Sequence, residues 1–301
     1  MIWQKWLRAA LAVVLVALVA GVGWYVSRDR PVSEAAVEPT RTDPTAQTEI
    51  AGDEFTRTED GKVLFRMKYE RGYSYADGRV RLVKINGTFT RNAGAPMDVT
   101  ADEADLVLKS GAGLDLAKFD EMHMRGHVVF KAGDELHMAT EEAHYNDLTG
   151  IMETDKAATV TRGKMSGSGT GVTFDRERSV IWLLADAKVK MQLDGQGTLD
   201  VTSGRAGLAD LEKYMRFEEN VRMERDGRVI ETDAAVANMT PEGNGITGLE
   251  LRGHSRITGA GSGGGVPNMR ADDITITYGA DTGLLERAVL DRAARLDLPE
   301  G

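Results

Sequence analysis

The sequence that decides the fold is GHVVFKAGDELHMATEEAHYNDLTGIMETDKAATV, residues 126–160. Apolar and polar residues alternate within its runs, and the runs are separated by the charged turn KAGDE and the turn NDLTG. Alternation with a period of two is typical of half-buried β-strands, and Gly, Asn and Asp are typical of the turns between strands. The segment therefore predicts consecutive β-strands joined by tight turns.

The same unit of two strands recurs along the chain with a spacing of about 30 residues. The opening strands centre on Val128 and Phe130, Val160, Val189 and Met191, Val221 and Met223, and Ile257. The second strands are predicted at residues 136–145, 167–174, 199–208, 230–239 and 269–278. Residues 81–89 and 97–108 fit the same unit with a looser turn, so the repeat extends over most of the chain.

A unit of two short strands cannot bury its apolar face alone, so the units must stack. Residues 97–240 contain no proline, which suits a continuous hydrogen-bonded sheet. The predicted fold is mainly β: an elongated, twisted β-jellyroll or solenoid of stacked antiparallel strand pairs. One helical candidate is residues 207–217, where Leu208, Leu211 and Met215 are three and four residues apart; a loop is the alternative.

The amino-terminal end predicts one transmembrane helix. Residues 9–26 are uninterruptedly apolar, and with their flanks they are long enough to cross the hydrocarbon core once. Lys5 and Arg8 favour a cytoplasmic amino terminus and an exported bulk. A cleaved signal peptide is the less favoured alternative, because Ala17 and Ala20 are spaced wrongly for a cleavage site. We therefore predict an anchor at residues 1–28, a solvated linker at 29–50 and a folded domain at 51–298.

Charge and cysteine content exclude several functions. The chain has a formal net charge of −10, and because residues 1–28 hold three basic and no acidic side chains, the remainder carries −13. Such a domain is repelled by nucleic acid. The chain has no cysteine, so the exported domain has no disulfide framework and must be held by an ordinary hydrophobic core.

Catalytic and metal-binding motifs are weak in this sequence. His123 and His127 would lie about 13 Å apart on one strand face, too far for one ion, although cross-strand pairing with His137 or His144 could still assemble a site. The glycine-rich residues 166–171 precede no helix, unlike a phosphate-binding loop. Acidic residues flank turns as a solvated face would: Asp134, Glu135, Glu141 and Glu142. We therefore predict no enzyme activity, no cofactor and no metal.

Inward-facing residues of the stacked strands form an apolar seam rich in methionine, whose flexible thioether suits variable apolar partners and also fills gaps. The seam is either a plain packed core or a trough that accepts a lipid. The residues predicted by alternation to line such a trough are Val128, Phe130, Met138, Val160, Phe174, Met191, Val221 and Met223.

The quoted segment, together with ENVRMERDGRVIETDAAVANMTPEGNGITGLEL (residues 219–251) and MRADDITITYGADTGLLERAVL (residues 269–290), resembles a known family. An anchor, a linker and such repeats are similar to the LptC-type proteins of lipopolysaccharide export, and the repeats resemble the soluble LptA-like (OstA-like) unit. On this resemblance, residues 51–205 correspond to the LptC-like part and residues 206–298 to extra LptA-like repeats.

The resemblance implies a β-jellyroll in the periplasm, anchored by a single pass in the cell inner membrane. It implies that the protein receives lipopolysaccharide from an inner-membrane ABC transporter and passes it along the trough towards the outer membrane. A soluble LptA-like bridge protein would dock at an edge strand, or the chain would self-associate there. The alternatives are a scaffolding β-solenoid of the cell envelope with a closed core, and an anchored glycan-active enzyme.

Overall fold

The computed structural model describes residues 43–90, 96–111, 113, 115–133, 136–193, 197–243, 245–259, 268–279 and 282–297. The predicted anchor and most of the predicted linker lie outside these residues. Within the described ranges the chain contains no helix that is long and apolar enough to cross a bilayer. Residues from Ala46 onward form one compact unit.

This unit is all-β, as the sequence predicts. Its strands are β1 Thr48–Glu59, β2 Lys62–Ser74, β3 Arg79–Phe89, β4 Met97–Leu108, β5 Phe119–Ala132, β6 Leu136–Asn146, β7 Ile151–Arg162, β8 Met165–Asp175, β9 Val180–Leu193, β10 Gly197–Ser203, β11 Arg205–Ala209, β12 Tyr214–Arg225, β13 Arg228–Met239, β14 Ile246–Thr258, β15 Asn268–Tyr278, β16 Leu285–Asp291 and β17 Arg295–Asp297.

The strands form a single antiparallel sheet in which neighbours in the chain are neighbours in space. The short strands β10 and β11 together occupy the position of one long strand between β9 and β12. Among the described residues β1 pairs with β2 alone, and β16 pairs with β15 alone. The sheet therefore has two edges, one at each end of the chain order.

The helical prediction for residues 207–217 is wrong. This segment contains the end of β11, a turn and the start of β12. Leu208 and Met215 are direct cross-strand partners and are both buried, whereas Leu211 lies in the turn and is 45% exposed. Their helix-like spacing arises because a short antiparallel hairpin places two inward residues on either side of an exposed turn.

Most long strands bend near their middle, where the pairing register shifts. Such shifts interrupt the ladders at Arg125/Val128, Glu218/Val221 and Arg252/Ser255. The tripeptide Arg-Gly-His occurs at two of these bends, and Gly126, His127, Gly253 and His254 all have positive φ. A Cβ at Gly126 would approach Oδ2 of Asp102 to 2.6 Å, so the bend excludes larger residues there.

The bends fold the sheet over, so that opposite ends of its strands meet. Phe89, at the end of β3, pairs with Met97 on β4, and Met97 pairs with Ala132 at the end of β5. Tyr145 lies at the opposite end of the β5–β6 pair. The ring centroids of Phe89 and Tyr145 are nevertheless 5.0 Å apart. We call the row of strand ends that contains Phe89 and Arg162 the first rim, and the row that contains Tyr145 and Ala209 the second rim.

The space between the two halves of the folded sheet is filled by one continuous hydrophobic core, from Phe65 on β2 to Ile276 on β15. Alternation places the outward residues in solvent and the inward residues in this core, which is the pattern the sequence predicts. All eight residues predicted to face inward are buried, with exposed fractions of 0–5%: Val128, Phe130, Met138, Val160, Phe174, Met191, Val221 and Met223.

Candidate functional site

The amino-terminal part of the interior is filled by aromatic rings. Phe65 contacts Phe89 at a centroid distance of 4.4 Å and Phe119 at 5.6 Å. Tyr145 completes the cluster at 5.0 Å from Phe89 and 6.3 Å from Phe119. Edge-to-face and tilted contacts at these distances stabilise a core beyond the burial of area alone. We call these four residues the aromatic cluster.

The carboxyl-terminal part of the interior contains an apolar cavity. Its volume is about 60 Å³, measured as the space open to the centre of a water-sized sphere, which is room for about four to six waters. The cavity is lined by aliphatic and methionine side chains with few polar atoms: Val189, Met191, Leu199, Val201, Met215, Phe217, Met223, Ile230, Ala237, Ile246, Leu249, Ile257 and Ile276. This chemistry suits an acyl chain and does not suit a polar substrate.

Two arginines line the cavity at the first rim. Arg225 and Arg228 pair across the β12–β13 hairpin at the first rim and contribute to the lining. Tyr278 and Leu285, at the second rim, face them. Burial raises the pKa of the Tyr278 hydroxyl, and the two nearby guanidinium groups act in the opposite direction. Two guanidinium groups therefore border an apolar space, and Arg225 Nε also lies 3.9 Å from Oδ2 of Asp226.

Two ion pairs join the rims elsewhere along the sheet. Arg57, beside Phe65 on the first rim, binds Asp147 on the second, where Lys109 Nζ also lies 3.2 Å from Asp147 Oδ2. Arg162, at the first-rim end of β7, lies 2.5 Å from Oδ1 of Asp210, which follows β11 on the second rim. We call these two pairs the rim latches.

The Arg57–Asp147 latch is electrostatically strong because it is partly desolvated. Burial acts to raise the pKa of the Asp147 carboxyl, but Arg57 and Lys109 outweigh it and hold that pKa below its ordinary value of 3.8. The Asp147 and Arg57 side chains are 9% and 20% exposed. The charged form of Asp147 is thus the one that the folded protein favours.

Of the eight predicted trough residues, the structure brings Met191 and Met223 to the cavity wall. Val160 lines a smaller space next to it, together with Met215 and Val189. The other five are packed in the same core. The sequence analysis did not identify Phe217, Ile276 or the two rim arginines as cavity residues. Alternation within their strands indicates that Phe217 and Ile276 face inward. Which inward residues border the cavity depends on how the sheet folds over.

The histidines separate into different environments. His127 and His254, at the two Arg-Gly-His bends, are exposed, and the Nδ1 of each lies within 2.8 Å of a carboxylate oxygen, of Asp102 and Asp233 respectively. These hydrogen bonds raise the pKa of both imidazoles. His123 and His144 are brought together, which is the cross-strand pairing that the sequence left open. The glycine-rich residues 166–171 lie within β8 as strand.

A folded antiparallel sheet around an apolar interior defines a β-jellyroll-like class of proteins. A family model described as "Lipopolysaccharide-assembly, LptC-related" matches residues 12–192, more than half of the chain, so the protein belongs to the LptC family. A comparison with curated proteins finds no match. Proteins of this family serve in transport, not catalysis, and face the periplasm from an anchor in the inner membrane. The protein therefore takes part in lipopolysaccharide transport.

Proposed function

We propose that this protein is a membrane-anchored periplasmic bridge that receives lipopolysaccharide from an inner-membrane ABC transporter and passes it along its interior. The observation that carries the proposal is the apolar cavity with two arginines in its lining. An apolar space suits the acyl chains of such a lipid, and the guanidinium groups suit its anionic headgroup. The residues predicted to touch lipid are Val128, Phe130, Met138, Val160, Phe174, Met191, Val221 and Met223.

The cavity must widen before it can hold a lipid. Room for about four to six waters is less than an acyl chain of a dozen carbons occupies. Burial of such a chain is worth roughly 0.8 kcal/mol for each methylene, or about 10 kcal/mol in total. Breaking one partly buried ion pair costs a few kcal/mol, which is less than the cost of leaving that acyl chain in water between the transporter and the interior.

Lateral loading between the rims is the simplest route into the interior. The Arg162–Asp210 latch lies close to the cavity. Val160, on the same strand as Arg162, lines the smaller space that adjoins the cavity. Methionine side chains at the wall can change rotamer to follow the shape of a chain as it passes. In this scheme the latches hold the empty interior closed and open when lipid enters.

The two edges of the sheet supply the docking sites of the bridge. The β1 edge follows the predicted anchor in the chain, so we assign it to the transporter side. The β16–β17 edge exposes Leu285, Val289 and Leu296, which are 38–48% exposed. Unpaired strands with apolar side chains bind a further strand by β-augmentation. We assign this edge to a soluble LptA-like protein or to a second copy of the chain.

Site-specific photocrosslinking tests the proposal. A photoreactive amino acid in place of Met223 or Met191, in the full-length protein in lipopolysaccharide-producing cells, is expected to give lipopolysaccharide adducts. Arg222 is the matched control, because it neighbours Met223 in the chain and its side chain is 45% exposed on the opposite face. Adducts from Arg222 alone, or none from a stable interior variant, would overturn the trough and favour the closed scaffold.

A further inference from the structure

Three side chains of the types that bind metal ions lie close together on the outer face of the β5–β6 pair. His123 and His144 are direct cross-strand partners, and their rings are stacked with centroids 4.3 Å apart and planes at 17°. Glu121 lies two residues before His123 and so on the same face of β5. Its Oε2 atom is 3.5 Å from Nε2 of His123 and 3.5 Å from Nε2 of His144.

These separations suit a common ion. Zinc binds imidazole nitrogen and carboxylate oxygen at about 2.0–2.2 Å in tetrahedral geometry, which places neighbouring ligand atoms about 3.3–3.6 Å apart. All three ligand atoms lie within 4.8 Å of one another. Rotation of the two imidazoles out of their stacked arrangement, so that both Nε2 lone pairs converge, would bring all three atoms onto one ion.

A second observation points to a ligand at the same place. The Nε2 atom of His144 is buried and has no hydrogen-bond partner. The other ring nitrogen, Nδ1, lies 3.5 Å from Oε1 of Glu153, the cross-strand partner of His144 on β7. A carboxylate that accepts the Nδ1 proton directs the lone pair of Nε2 towards the ion, an arrangement that recurs behind metal-bound histidines.

We propose that Glu121, His123 and His144 bind one divalent transition-metal ion of the zinc class, with a fourth position open to water. The site lies on the solvent side of the sheet, since Met122 and Met124 on the same strand face the core and are at most 1% exposed. It lies apart from the cavity of the carboxyl-terminal part. A bound ion would tie β5 to β6 and stabilise the folded state by mass action.

Zinc titration of the full-length protein by calorimetry tests this site. We expect saturable binding of one Zn²⁺ ion per chain at neutral pH, and a tetrahedral absorption spectrum when Co²⁺ is the probe. His123→Gln and His144→Gln should each weaken Zn²⁺ binding at least tenfold, and Glu121→Gln should also weaken it. Glu153→Gln should weaken it about tenfold while the Co²⁺ spectrum stays tetrahedral.

His254→Gln is the matched control, because that imidazole is exposed at a bend and contacts Asp233. Its Zn²⁺ affinity should equal that of the unmodified chain. Thermal unfolding gives a second readout, in which Zn²⁺ raises the melting temperature of the unmodified protein and not of His123→Gln. The proposal is overturned if the chain shows no saturable binding, or if both histidine variants retain its stoichiometry and affinity.

Discussion

The two parts of the interior share one backbone repeat but are filled differently. The amino-terminal part holds the aromatic cluster, whose rings contact one another from both rims. The carboxyl-terminal part holds aliphatic and methionine side chains around a cavity. The family match ends at residue 192, so the aromatic cluster lies within it and most cavity residues lie beyond it. At constant fold, side-chain shape therefore distinguishes a closely packed amino-terminal part, which we call the stem, from a carboxyl-terminal part with free space, which we call the receptacle.

Removal of a ring from the aromatic cluster should destabilise the protein most. Phe89 is 1% exposed, so Phe89→Ala should lower the free energy of unfolding by about 3–5 kcal/mol, because it leaves a cavity between two rings that cannot collapse. Chemical denaturation of the full-length protein measures the change. Leu148→Ala is the control, since Leu148 is 92% exposed and should change stability by less than about 0.5 kcal/mol. A loss of under about 1 kcal/mol in Phe89→Ala would show that the stem is not closely packed.

Larger side chains at two core positions test the same comparison between the stem and the receptacle. Met124→Phe, in the closely packed part, should destabilise the protein by about 1–3 kcal/mol through overpacking. Met223→Phe should cost less than about 1.5 kcal/mol, because its side chain borders free space. Denaturation measures both, and binding of a fluorescent fatty acid should be lost in Met223→Phe. Equal costs for the two variants would remove the distinction between stem and receptacle.

A rim latch should contribute less than a core ring. Arg162→Met leaves Asp210 with Lys213, 3.3 Å away, so we expect a loss of about 1–2 kcal/mol, between the values of exposed and fully buried pairs. Uptake of the fluorescent fatty acid should also become faster. Arg178→Met is the control, since Arg178 is 80% exposed and contacts Asp175 within one turn. Unchanged uptake in Arg162→Met would contradict lateral loading.

The smallest effect is the pH dependence of the other latch. Because the pKa of Asp147 is lowered in the folded protein, its contribution to stability is present above the ordinary value of 3.8 and is lost as pH falls through the lower folded value. Asp147→Asn should therefore flatten the acid limb of the stability profile below about pH 4. Asp200→Asn, at a half-exposed carboxylate beside Lys190, is the control. Parallel acid limbs in Asp147→Asn and the unmodified chain would contradict this assignment.

Local pattern predicted most of the fold. Alternation and turn residues give the strands, and the inward phase of Val128, Met191 and Met223 is confirmed by their burial. The same reasoning failed at residues 207–217, because Leu208 and Met215 satisfy a helical spacing and a hairpin equally well. The pairing of β11 with β9, for example of Leu208 with Ile181, favours the strand, and that pairing is not local.

The candidate sites depend on contacts between residues far apart in the chain. Arg57 meets Asp147 because the sheet folds over at its bends, and no local pattern shows which strand ends will meet. His123 faces His144 because a register shift at Arg125/Val128 sets the pairing of β5 with β6. A register changed by one residue would turn one imidazole inward. Sequence reasoning could therefore name these side chains but not their partners.

The repeated bend at Arg-Gly-His has a mechanical consequence. Each bent strand shares ladder hydrogen bonds with its neighbours, so the bends align into one line along the sheet, between its two halves. Opening at one repeat must be accommodated by the next, because each strand pair is coupled to its nearest neighbours. This coupling is symmetric, so a cargo between the two halves of the sheet would loosen the repeats on both sides of it equally, and the direction of travel must come from an energy source outside this chain.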